Sequence, residues 1–255
     1  YLSLNTESVM HKTARKLHQW LMLFLGLQFA IWSITGAYMV YMDIDFIHGD
    51  DLVTKPQAKV QPAHMHYSLQ QLTHAYPKIN NISVDTLLGE TVYRLTLAES
   101  ESPNKVVISA QSGQVLTPLS ELTAVSIAQS FYTGNGEVAE VTLITDNPPF
   151  ELNPRHLPAW RINFDDFGAP SLYVSAQTGI LVGKRHEFWR WFDWMFRFHI
   201  MDYSSGEDID NMLLFWVALL ASGGALTGMV LVYFRVLKGQ FTGRKKSRLR
   251  RGGVA

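Results

Sequence analysis

Two stretches of this chain carry no charged side chain, and each is long enough to cross a lipid bilayer. Residues 20–41 form a neutral run of 22, and residues 212–234 one of 23. About 20 apolar residues, rising roughly 1.5 Å each as a helix, span a hydrocarbon core about 30 Å thick. Two buried core helices of this length in a chain of 255 residues are a poor alternative. A cleavable signal peptide also fits the first run badly, because its apolar stretch is long and residues 44–47 offer no small-residue cleavage site. The pattern predicts two transmembrane helices with a folded segment between them.

The charges that surround these runs give the arrangement a direction. Lys plus Arg and Asp plus Glu number 22 each, a net charge of zero that argues against a nucleic-acid binder. Ahead of Trp20 lie three basic residues and one acid, a net of +2. After Phe234 come eight basic residues and no acid, and the middle, residues 42–211, carries 11 basic and 21 acidic residues, a net of −10. Lys and Arg next to a span favour the cytoplasmic side. Both termini are therefore expected in the cytoplasm and the middle segment outside it. The basic residues between Arg244 and Arg251 serve that topology and also suit anionic lipid or a cytoplasmic partner.

Small residues recur along each run: Gly26, Ala30, Ser33 and Ala37 in the first, and Ala221, Gly224, Ala225 and Gly228 in the second. Such spacing lets helix backbones approach closely. It suits packing of the two spans on each other, or a homodimer through Gly224 and Gly228. Cysteine is absent, which excludes disulfides, Cys-ligated zinc or iron–sulfur clusters, thiol catalysis and thioether-linked haem.

The middle segment repeats itself. Val92-Tyr-Arg-Leu-Thr-Leu97 returns as Ala159-Trp-Arg-Ile-Asn-Phe164, and Ser109-Ala-Gln-Ser-Gly-Gln-Val-Leu116 as Ser175-Ala-Gln-Thr-Gly-Ile-Leu-Val182. Tyr93, Leu95 and Leu97 alternate with Val92, Arg94 and Thr96, the period of a half-buried strand. Helical stretches precede both copies, at 68–76 and 121–132, and Gly113 and Gly179 suit tight turns with positive φ. Asp165-Asp-Phe-Gly168 falls at a further turn; no Gly-rich loop or His-Arg-Asp accompanies it, so it is not a kinase signature. Two α+β units result, each burying one sheet face under a helix. Arg94 and Arg161 occupy equivalent strand positions, as paired structural charges or as an anion site.

These repeats resemble paired PepSY domains. Arg15-Lys-Leu-His-Gln-Trp20 with Ile34-Thr-Gly36, and Trp189-Arg-Trp-Phe-Asp-Trp-Met-Phe-Arg-Phe-His199 with Leu226-Thr-Gly228, are similar to PepSY-associated transmembrane helices. The resemblance covers roughly residues 10–240. It implies a bacterial inner-membrane protein linked to siderophore-iron uptake, a group whose larger members include haem-containing ferric reductases with more spans than the two read here. Isolated PepSY domains are also associated with peptidase inhibition or regulation.

Without cysteine, imidazoles are the residues most suited to hold haem or a metal. His18 lies at the mouth of the first run, on one helical face with His11; it is a haem ligand or an interfacial histidine beside Trp20. His199 ends an aromatic-rich stretch over 187–201, opposite a stripe of Glu187, Arg190, Asp193 and Arg197. Such a helix suits the outer membrane surface, and an imidazole on its apolar side needs haem iron or another polar partner. His18 and His199 fall about 30 Å apart, near opposite membrane faces. A bis-histidine haem b would then need His48 with His199, or His18 from two chains. His64 and His66, with His74, form a periplasmic metal candidate or a solvated loop. His186-Glu187 lacks the second histidine of a zincin, since position 190 is Arg, and no nucleophile elbow, phosphate loop or dinucleotide fingerprint occurs.

The expected architecture is membrane α plus α+β. A cytoplasmic segment (1–19), a transmembrane helix (20–41), a periplasmic double PepSY domain (42–185), an interfacial amphipathic helix (186–201), a second transmembrane helix (212–234) and a basic cytoplasmic tail (235–255) follow in order. The expected function is an accessory or electron-transfer component supporting periplasmic reduction of iron-siderophore or metal. The alternative is a non-enzymatic module that binds a periplasmic or membrane-protein partner within a larger complex.

Overall fold

The computed structural model describes residues 2–98 and 104–238. Most of the basic tail, including Arg244 to Arg251, lies outside the described residues. Two compact units emerge: the two ends of the chain form one, and Met42–Trp191 the other.

In the first unit, α1 (Leu2–Tyr41) is a single helix of 40 residues. It extends well ahead of the neutral run, because no Pro or Gly occurs before Gly26 to stop it. The second long helix, α6 (Met212–Val232), starts at Asn211, whose side chain accepts from the Leu214 N–H, and continues as a π-helical turn, Tyr233–Lys238. The segments Arg15–Tyr41 and Met212–Arg235 are long and apolar enough to cross a membrane, with mean hydropathies of 1.5 and 1.9. They pack antiparallel: His18 meets Gly228, while Leu21 and Leu25 meet Gly224. Outward-facing side chains remain apolar, Leu23, Phe24 and Leu27 being 69%, 75% and 72% exposed. That is the reverse of a soluble core helix.

The small residues of the two runs behave differently. Gly224 is buried against α1, and a Cβ on Gly228 would stand 3.1 Å from His18 Cε1. Ala30, Ser33 and Ala37 instead point outward, and nothing lies within 4 Å of a Cβ placed on Gly26. The stripe on α1 therefore does not take part in pairing the two helices. Large side chains do so instead: Leu25 is buried there.

The central unit is α+β with two antiparallel sheets. After the short helix α2 (Ile44–His48) and an extended stretch come α3 (Leu69–Ala75) and strands β1 (Ile79–Leu87), β2 (Glu90–Leu97) and β3 (Lys105–Ser109). The second copy consists of α4 (Glu121–Phe131), β4 (Glu137–Ile144), β5 (Ala159–Asp165), β6 (Ser171–Ser175) and β7 (Leu181–Arg185). Strand order follows sequence order in both sheets. Ser68 and Ser120 start the two helices by accepting from the N–H groups of Gln71 and Thr123. Leu88 and Gly89, both at positive φ, close the two-residue β1–β2 hairpin. Gly113 and Gly179 have φ of 76° and 63° at the repeated turn, each donating its N–H to the serine four residues earlier.

Alternation along the strands sets the core. Tyr93, Leu95 and Leu97 of β2, with Val106 and Ile108 of β3, pack beneath Leu72 of α3. In the second copy Ile162, Phe164, Leu172 and Val174 pack beneath Ile127 and Ala128 of α4. Leu87, Val92 and Val107 join this second cluster from the opposite face of the first sheet. The first sheet is thus covered on part of both faces, not on one as expected from its sequence. The next helix, α5 (Glu187–Ile200), leads out of the central unit, and its second half belongs to the helical one.

Candidate functional site: two threonine-anchored histidines

His199 stands on the last turn of α5 with its Nδ1 3.0 Å from Thr35 Oγ1 of α1. Thr35 spends its one hydroxyl proton on the Ile31 carbonyl, 2.8 Å away, so its oxygen is left to accept. The imidazole must then carry its hydrogen on Nδ1. Trp32 Nε1–H donates to the His199 carbonyl at 2.8 Å and fixes the backbone beside it. Gly36 supplies the room, since a Cβ there would lie 3.3 Å from His199 Cε1.

His18 repeats the arrangement near the middle of α1. Its Nδ1 is 3.0 Å from the Gly224 carbonyl and 3.2 Å from Thr227 Oγ1. A carbonyl accepts only, and Thr227 itself donates to the same carbonyl at 2.9 Å, so Nδ1 again holds the hydrogen. Cε1 rests against Gly228 as that of His199 rests against Gly36. Each histidine thus sits on a Thr-Gly dipeptide of a different helix, Thr35-Gly36 or Thr227-Gly228. The Nε2 of each has no hydrogen-bond partner among the described residues. A ring fixed through Nδ1–H with a free Nε2 is the form in which histidine ligates a metal.

The distance between the sites limits their use. Seventeen residues of α1 separate His18 from Thr35, an axial rise of about 25 Å. One haem cannot take both imidazoles. Within this unit the other histidine is His11, whose side chain lies outside the described residues.

The remaining predicted residues are in the central unit. His48 is exposed at the end of α2. His64, His66 and His74 are all exposed; His64 ends the 3-10 turn Pro62–His64 and lines a shallow groove with Glu90. Among the described residues no three His, Asp or Glu side chains gather as a metal site. Arg94 pairs with Asp85 at 2.9 Å and Arg161 with Glu140 at 3.8 Å, the paired structural charges of the sequence reading.

Three polar centres carry no clear sequence signal. His186 is buried, donating from Nε2 to the Phe46 carbonyl at 2.8 Å and accepting the Trp189 N–H on Nδ1 at 3.2 Å. Burial holds its pKa below the usual histidine range, aided by the charges of Arg190 and Arg185. Glu151, also buried, receives Arg190 through two hydrogen bonds of 2.8 Å and the Tyr173 hydroxyl. Burial alone would raise the Glu151 pKa, but the bonds from Arg190 and Tyr173 overcome it and hold the carboxyl below its ordinary value. Asp166 accepts from Tyr132, from the N–H groups of Asn135 and Gly136, and from its neighbour Phe167, which together lower its pKa to about 2. Its role is to tie the β5–β6 turn to the end of α4. The only advance trace of the histidine anchors is the repeated Thr-Gly dipeptide.

No protein-family model, no curated protein and no solved structure matches the chain.

Proposed function

We propose that this is a two-span protein of the bacterial inner membrane with a tandem PepSY-like domain on the periplasmic side, acting as an electron-transfer or accessory component in reduction of iron-siderophore or metal. Membrane residence is supported by the outward apolar faces of α1 and α6. The antiparallel pairing puts the start of α1 and the end of α6 on one side, in keeping with a sequence that is basic outside the two runs and acidic between them. The repeated helix-and-sheet units support the PepSY likeness.

The observation that carries the functional reading is the anchoring of His18 and His199 through Nδ1. Thr35 and Thr227 orient the rings, Gly36 and Gly228 let them lie close to the helices, and each Nε2 would be the atom that holds a haem b. Haem b supplies one-electron chemistry when bound. A second ligand would come from His48, for His199, or from another chain, and the latter would make this protein a subunit. The outward stripe of Gly26, Ala30, Ser33 and Ala37 favours the same conclusion, since it suits close approach by a further helix. That leaves a non-enzymatic membrane-complex subunit as the second reading.

The visible spectrum of the full chain, purified in mild detergent after haem-replete expression, separates the two. The expected result is a Soret band that is lost in His18→Ala, in His199→Ala or in both. A protein without the band, recovered with stoichiometric membrane partners, overturns the electron-transfer reading in favour of the second.

A further inference from the structure

The first sheet has a cationic face that none of the above uses. On the side away from α3, Ser83, Arg94 and Val107 form one cross-strand row, and Thr96 pairs with Lys105 in the next. Arg94 and Lys105 are therefore diagonal neighbours, with Cα atoms about 7–8 Å apart. This face and the β6–β7 turn enclose a cleft of about 300 Å³, to which the turn Pro154–His156 adds Arg155 and His156.

Among the described residues three cations line the cleft and no carboxylate does. Arg94 is already balanced: its Nε holds Asp85, which faces the neighbouring cavity. Its Nη1 is buried with no partner among the described residues, so the guanidinium is held in place with a donor unspent. Lys105 and Arg155 are exposed, and neither makes an ion pair among the described residues. His156 reports the resulting field. Burial first, then the charges of Arg155 and Lys105, push its pKa below the usual histidine range. Neutral donors from Ser175 and Gln177 complete the wall.

We propose that this cleft binds a small dianion, a phosphate- or dicarboxylate-bearing molecule, with Lys105 and Arg155 supplying the charge and Arg94 a fixed donor. The volume accommodates such a group, and the charges of Lys105 and Arg155, unpaired among the described residues, match it. None of these residues belongs to the histidine sites, so the inference stands apart from the haem reading.

Isothermal titration of the full chain in detergent at low ionic strength, with inorganic phosphate and with succinate as probes, tests it. Saturable one-to-one binding of either probe is expected, weakened about tenfold or more in the Lys105→Gln/Arg155→Gln double variant by loss of charge-assisted hydrogen bonds. Both substitutions fall on exposed positions, so the fold is not at stake. Lys55→Gln, which removes an exposed cation from the neighbouring cavity, should leave the affinity unchanged. Absence of saturable binding by both probes, retention of affinity in the double variant, or equal weakening by Lys55→Gln overturns the proposal.

Discussion

A buried carboxylate is stable only while its partners remain, and Glu151 has two strong ones. Arg190 clasps it from α5 and Tyr173 from β6, with Ser171 taking a further Arg190 N–H at 2.9 Å. Glu151→Gln leaves the guanidinium with only the exposed Glu187, 2.8 Å from Nη1, as counter-charge and is expected to cost on the order of 3 kcal/mol at neutral pH, read from thermal or denaturant unfolding of the full chain. The sign with pH follows from the lowered pKa. The carboxylate stabilises the fold fully above the ordinary Glu value of about 4.3, and the contribution fades as pH falls through the lower folded value. Wild type and variant should therefore converge in stability toward strong acid; a constant difference down to that range would show that charge is not what Glu151 contributes.

At the scale of elements, the helix pair depends on Gly228. With His18 Cε1 only 3.1 Å from where a Cβ would be, Gly228→Val forces the imidazole off the Gly224 carbonyl. The expected result is a lower melting temperature for the helical unit, by an amount typical of overpacking, about 1–3 kcal/mol. The matching change at an outward position, Ala30→Val, should be nearly neutral in the isolated protein. Equal effects would contradict the assignment of faces. The sequence makes these helices legible as apolar runs, but it does not show which side of each meets the other. Small residues on α1 look like an interface and are not one within the chain, because Leu25 and the neighbouring large side chains fill the contact. In the sheets, β2, β3, β5 and β6 are readable because they are apolar-rich and largely buried. The edge strands β1 and β4, with runs such as Asn80-Asn81 and Glu137-Val-Ala-Glu140, bury little and leave a weak pattern. Alternation also groups Val92 and Val107 on one face without revealing that α4 covers it.

For the whole molecule, the layout of charge predicts which parts a reagent can reach. Because the chain has no cysteine, single introduced thiols report position cleanly. In intact cells with a permeable outer membrane, Glu121→Cys on exposed α4 should react with a membrane-impermeant maleimide, whereas Lys12→Cys should react only after lysis. The opposite labelling would invert the topology, and labelling of both before lysis would remove the membrane from the account. The repeat and the topology are properties of pattern and survive in sequence alone. The histidine anchors join residues 164 and 209 positions apart, and no local rule brings such pairs together.

Those anchors also have a mechanical meaning. α1 is gripped near its middle by its own His18 reaching α6, and near its C-terminal end by His199 reaching in from α5. Sliding by a single turn, about 5.4 Å, would carry Gly36 and His18 out of their seats together. The helix is thus indexed at two points, like a rule held between two stops. A piston stroke of α1 would have to break both contacts, whereas a rotation or tilt of the helical unit as a body leaves them intact.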